Sequence, residues 1–179
     1  ESEARSLLAE QQAGIPPSLD GRTVVIEFAR GGPDGCAMPI PPPQGYAYSL
    51  SQLSDAILEQ AAVLYIWVTP EESRRKNEAR TDPNDPGSIL HHGVPLEVML
   101  QEYGCDDMAW LESQSTVPGA LSVHTRGRTF ILPFASFDNR RDKTSFVRGD
   151  PKEWSKADVD ALHSGLRSAT DTLFASWKQ

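Results

Sequence analysis

Val63-Leu64-Tyr65-Ile66-Trp67-Val68-Thr69-Pro70-Glu71-Glu72-Ser73-Arg74-Arg75-Lys76 changes character within two residues. Its first half, with Ala62, is a continuous apolar run with no polar alternation, the pattern of a strand covered on both faces. The second half opens a helix. Thr69 is placed to cap it, Pro70 suits the first helical position, and Glu72 completes a capping box. Between Glu71 and Arg80 only Ala79 is nonpolar. A helix polar all round does not lie flat on a core, so this one is expected to project over a site. Glu71 precedes Arg75 by one turn and Glu72 precedes Lys76 by one turn, the favourable order for ion pairs. Arg75 is therefore expected to be occupied by Glu71. That leaves Arg74, Lys76 and Arg80 as the candidate phosphate-binding cations, since a guanidinium holds a phosphate in a bidentate fork.

Upstream, a short helix is expected over 2–12, stopped at Gly14. Thr23-Val24-Val25-Ile26-Glu27-Phe28 reads as another buried strand. Residues 30–45 are rich in Gly and Pro and form a long loop. Apolar residues at helical spacing predict a helix over 50–61. This order, strand, loop, helix, strand, helix, is that of an α/β sheet with parallel strands, so the strands around 24 and 63 should run parallel in one sheet, with the helix over 50–61 crossing between them. Downstream, 81–88 is a break. Two short helices are expected over 95–103 and 106–114, and two strands around Arg126-Gly127. Residues 134–139 either extend the second strand or leave it. A long amphipathic helix spans 155–177, with Val159, Leu162, Leu166, Ala169, Leu173 and Trp177 on one stripe. The expectation is one domain over 1–179, with a lid-like helical segment over about 70–115.

A net charge of -8 over 179 residues argues against general nucleic-acid binding, which needs a basic surface. A local cation cluster in such a chain suits a small anion. No apolar run reaches the length of a membrane span, and the opening Glu1-Ser2-Glu3 lacks the pattern of a signal peptide. The expected compartment is the cytoplasm, with Cys36 and Cys105 too few for a disulfide scaffold. His91-His92, Cys36, Cys105, Asp106 and Asp107 lack metal-ligand spacing, so no metal site is expected among them. Lys143-Thr144 follows no glycine-rich phosphate loop.

Glu27 is the sharpest candidate for chemistry, because a carboxylate inside a buried strand is costly unless paired or used. It reads as a general base, as a ligand for magnesium-bound water, or as an ion-pair partner of Arg30 or Arg22. Phe137 to Thr144 (F-D-N-R-R-D-K-T) reads as a loop for a base or phosphate, or as a salt-bridged turn.

V-V-I-E-F-A-R-G followed by V-L-Y-I-W-V-T-P-E-E-S-R-R-K-N-E-A-R resembles the later half of P-loop kinases of the nucleoside and nucleotide kinase type. The resemblance implies a three-layer, mostly parallel sheet flanked by helices. It implies Glu27 as catalytic acid and Arg30 as substrate arginine. Arg74, Arg75, Lys76 and Arg80 become a lid over the transferred phosphate, and Asp138, Asn139 and Arg140 lie near the base. It also implies ATP and Mg²⁺ as cofactors and a small-molecule acceptor, with a homodimer left open. The family's first strand and phosphate loop have no counterpart here. Three accounts follow: an N-terminal segment carries them, the chain binds a phosphorylated ligand or a protein without catalysis, or the likeness is that of a generic α/β fold.

Overall fold

A computed structural model of the chain describes residues 2–16, 18, 20–27, 29–81 and 93–177. The centre is a three-stranded mixed sheet in the order β1-β3-β2. β1 is Val63–Trp67, β2 Ala120–Thr125 and β3 Arg128–Asp138. β1 runs parallel to β3, with Val63 beside Phe134 and Trp67 beside Asp138. β2 and β3 form an antiparallel hairpin, with Leu121 beside Leu132. Its two-residue turn is Arg126-Gly127, both at positive φ (49° and 71°). That geometry matches the right-handed twist of the strands. The strained Arg126 is held by its guanidinium, which donates to Asp55 at 2.6 Å and to the Leu53 carbonyl at 2.7 Å.

Side chains alternate across β3, so successive residues serve opposite faces. Phe130, Leu132 and Phe134 enter one core with Leu121 and Val123 of β2. Leu50 of α2 (Gly45–Ser51), Leu58 of α3 (Asp55–Leu58), and Met108 and Leu111 of α6 (Met108–Ser113) cover that face. Ala135 and Phe137 point the other way, onto the long helix α7 (Lys156–Trp177), where they meet Leu162, Ala169 and Leu173. Gly165 lets α7 approach closely, since a Cβ there would sit 2.6 Å from the Phe137 ring. The chain is thus α/β, with helices on both faces of a small sheet. The remaining helices are α1 (Ser2–Ala13), α4 (Pro70–Glu78) and α5 (Leu96–Glu102). No helix among the described residues is long and apolar enough to cross a membrane.

Several expectations are corrected. Residues 23–27 form no strand and are exposed, Val25 to 86%; Phe28 lies outside the described residues. An apolar β-branched run becomes a strand only where a neighbouring edge accepts its backbone, and none does so among the described residues. The strand expected around 24 is therefore absent from the sheet that holds 63, and that sheet is mixed rather than mostly parallel. β1 is an edge strand, with Leu64, Ile66 and Trp67 exposed rather than covered. The helix expected over 50–61 is two short ones, because the chain turns at Gln52-Leu53 and restarts from an extended Ser54. On α7, Val159, Leu166 and Trp177 are exposed, and the packed stripe is narrower than the sequence suggests.

Candidate functional site

β1 and β3 are parallel neighbours, so both release the chain at the same edge of the sheet. The Asn139 N–H donates to the Trp67 carbonyl at 2.8 Å and ties the two exits together. From β1 the chain enters α4 at once. Thr69 caps it by accepting from the Glu72 N–H at 3.2 Å, and Pro70 is the first helical residue. From β3 it enters the turn 139–144. Asn139 is 2% exposed. Its amide accepts from the Lys143 N–H at 2.7 Å and donates to the Thr144 hydroxyl at 3.0 Å. Asn139 is thus an internal strut of the turn.

The helix and the turn meet through Asp142. Its carboxylate lies 2.5 Å from Arg75 and 3.1 Å from Lys76. Lys76 also donates to the Thr144 hydroxyl at 3.2 Å, and its side chain is only 12% exposed. Arg75 grips Glu72 in a bidentate fork, both contacts at 2.7 Å. Arg140 folds back onto its own strand end, bonded to Asp138 at 2.8 and 3.0 Å, with its guanidinium 3.9 Å above the Trp67 ring. Lys143 donates to the Asp138 carbonyl at 2.6 Å.

These contacts set the charges. Burial pushes the Asp142 carboxyl up, but hydrogen bonds from Ser145 and Lys76 outweigh it and hold the group well below the usual carboxylate range. Arg140 holds Asp138 low in the same way, and Arg75 lowers Glu72. Hydrogen bonds to Glu72 and then Asp142 raise Arg75 further above its already high range. All these groups are ionised at neutral pH. Residues 70–80 and 138–144 carry seven cations and five carboxylates, a local excess of positive charge in a chain of net charge -8.

Arg75 is therefore not held by Glu71, as the spacing predicts. It turns one residue further, to Glu72, and across to Asp142. Glu71 pairs instead with Arg74, loosely, at 3.5 Å. Arg80 is exposed and has no ion pair among the described residues. Lys76 is the most enclosed of the three candidate phosphate-binding cations. Glu27 lies on the exposed segment 23–27 and not inside a buried strand. Arg30 donates to the Ser49 hydroxyl at 3.1 Å and lines a cleft of about 270 Å³ with Gly31, Pro43, Gln44, Glu102 and Tyr103. No residue of α4 lines that cleft. His91 and His92 lie outside the described residues. Among the described residues, no three His, Cys, Asp or Glu side chains gather as a metal site would require.

Two carboxylates matter in ways that the sequence does not announce. Asp107 is fully buried and accepts from the Tyr46 N–H at 2.6 Å and the Ala47 N–H at 3.0 Å. It caps α2 from a distance, because the adjacent Gln44 makes no side-chain cap. Asp106 accepts from the Tyr65 hydroxyl at 2.7 Å, anchoring β1 to the start of α6. Burial, and then that bond, push the Tyr65 phenol upward. The signal for both was an acidic pair just before a helix, but their partners lie about 40 to 60 residues away.

No family model, no curated protein and no solved structure matches this chain.

Proposed function

We propose that the chain is a kinase-like phosphotransferase domain, which moves a phosphoryl group from a nucleoside triphosphate to a small-molecule acceptor. The observation that carries this reading is the convergence of α4 and the turn 139–144. Arg75 and Lys76 of α4 meet the Asp142 carboxylate of the turn where two parallel strands end, the place where open α/β sheets bind ligands. In this reading Arg74, Lys76 and Arg80 neutralise the phosphate, and Asp142 is the internal counterion that it displaces. Arg140, stacked on Trp67, offers a flat cationic surface for a base.

Mg²⁺ and the triphosphate need more than this. The sequence holds no glycine-rich phosphate loop, and the described residues gather no acidic cluster. These residues do not fit a Mg²⁺-triphosphate seat by themselves. Glu27 and Arg30 would act on the acceptor side, as base and as substrate arginine.

The test is calorimetric titration with pyrophosphate at low salt. Arg74→Ala and Arg80→Ala are expected to weaken binding by roughly threefold to tenfold each, and less at high salt, where charges are screened. Unchanged affinity in both variants would overturn the anion site. Turnover of ATP with Mg²⁺, reduced on the order of 10²-fold or more by Glu27→Gln, separates the enzyme from a non-catalytic binder of phosphorylated ligands, which would keep the affinity without turnover.

A further inference from the structure

The loop 31–45 and the end of α5 are laid together backbone to backbone. Gly32 and Cys105 form an isolated antiparallel bridge, with Gly32 N–H to Cys105 O at 3.0 Å and Cys105 N–H to Gly32 O at 3.2 Å. The Asp34 N–H extends the contact to the Leu100 carbonyl at 3.0 Å. The approach leaves no room for side chains. A Cβ on Gly31 would sit 2.6 Å from the Cys105 carbonyl oxygen, and one on Gly104 would sit 2.5 Å from the Asp34 nitrogen. A turn through Gly35, at φ +71°, then brings Cys36 back over this seam. Its Sγ stands 3.0 Å from the Sγ of Cys105, and both residues are half-buried free thiols.

We infer that Cys36 and Cys105 are a redox-responsive pair, which a hydroperoxide converts to a disulfide that clamps loop 31–45 to the end of α5. The two sulfurs are 69 residues apart in sequence, yet already in contact, so closure needs side-chain rotation and no rearrangement of the backbone. One thiolate attacks the peroxide, whose O–O bond breaks and releases an alcohol, or water from hydrogen peroxide. The resulting sulfenic acid is attacked by the second sulfur. The S–O bond breaks, and hydroxide leaves with the thiol proton as water. Two thiols lose two electrons, and the peroxide gains them. A metal reading is less well served, because no third ligand joins the pair among the described residues. Burial, with the neighbouring Cys36 sulfur adding to it, pushes the Cys105 thiol up to about 11. Cys105 is therefore almost wholly a thiol at neutral pH and is by itself a slow nucleophile.

The clamp has an address. Arg30, Gly31, Pro43 and Gln44 form one wall of the 270 Å³ cleft, and Glu102 and Tyr103 form the other. Gln44 already bridges the walls by donating to Glu102 at 2.9 Å. The disulfide would make that bridge covalent and fix the width of the cleft at Arg30.

The experiment uses the whole chain, oxidised with hydrogen peroxide and then alkylated under denaturing conditions. Intact mass is expected to show the loss of two thiol hydrogens with no alkyl group added, reversed by dithiothreitol. Amide exchange over 31–36 and 100–105 should slow by about tenfold or more in the oxidised wild type. Cys36→Ser should show neither change. Two alkylated cysteines after oxidation, or a disulfide only between two chains, would overturn the inference. So would a disulfide that leaves amide exchange unchanged.

Discussion

Replacing Asp142 with Asn removes one negative charge from the contact between α4 and the turn after β3, with almost no change in shape. Oδ1 of Asp142 accepts from the Ser145 N–H at 3.0 Å and from the Thr144 N–H at 3.3 Å, and an amide oxygen can do the same. Oδ2 faces Arg75, and there the substituted amide offers a donor to a donor. The turn should stand while its grip on Arg75 is lost. A partly exposed ion pair is worth at most ~1 kcal/mol, so little stability should be lost. The effect on an anion is opposite in sign. An anion seated on Lys76 and Arg74 would lie about 5 Å from the lost charge; at an effective dielectric of ~40–80 this relieves about 0.8–1.7 kcal/mol per unit of ligand charge. After screening by salt, a factor of about five in pyrophosphate affinity is a fair expectation. The assay is calorimetric titration of wild type and Asp142→Asn at low and at physiological ionic strength, with urea midpoints as the control for folding. Tighter binding that fades with salt supports an internal counterion. Weaker or equal binding, in a variant with an unchanged urea midpoint, would refute the idea that phosphate displaces Asp142.

Asp107→Ala should be the more damaging change, although Asp107 touches no proposed ligand. It would strand the Tyr46 and Ala47 N–H groups of α2 and lower the unfolding free energy by about 2–4 kcal/mol in urea; a loss below about 1 kcal/mol would show that water substitutes for the carboxylate. The pH dependence of stability has a definite sign. Asp142 and Asp138 both have folded pKa values below their unfolded ones, so their contribution is complete above about pH 4 and is lost as pH falls through the folded values. Urea midpoints should therefore be insensitive to these two groups between pH 7 and pH 5 and should decline below about pH 4, less steeply in Asp142→Asn. An equally steep decline in that variant would remove Asp142 from the account.

Local chemistry carried most of what was legible. Thr69-Pro70 fixed the start of α4 because cap and proline act within one turn. Arg126-Gly127 marked the hairpin, since the turn is only two residues long. The period of α7 came through for Leu162, Ala169 and Leu173, which pack. The failures share a cause, which is dependence on a distant partner. Residues 23–27 have the composition of a strand, but a strand also needs an accepting edge. Arg75 was assigned to Glu71 by helix spacing alone, whereas Asp142, 67 residues on, draws it to the other side. Asp107 looked like half of an acidic pair until α2, some 60 residues earlier, supplied its donors.

The mixed order of the sheet also sets an order of assembly. β2 and β3 are joined by two residues and can pair as a local hairpin, whereas joining β1 to β3 closes a loop of about 70 residues. The difference in closure entropy is about 3 kcal/mol, and it must be met before any contact across that seam can form. The hairpin is therefore the natural nucleus, and the docking of β1 a late step. α4 follows β1 directly, and the Asp142 contacts form only once β1 has docked. The cation cluster thus assembles no earlier than that late step, and the same arithmetic places it among the parts that come apart readily in native-state fluctuations.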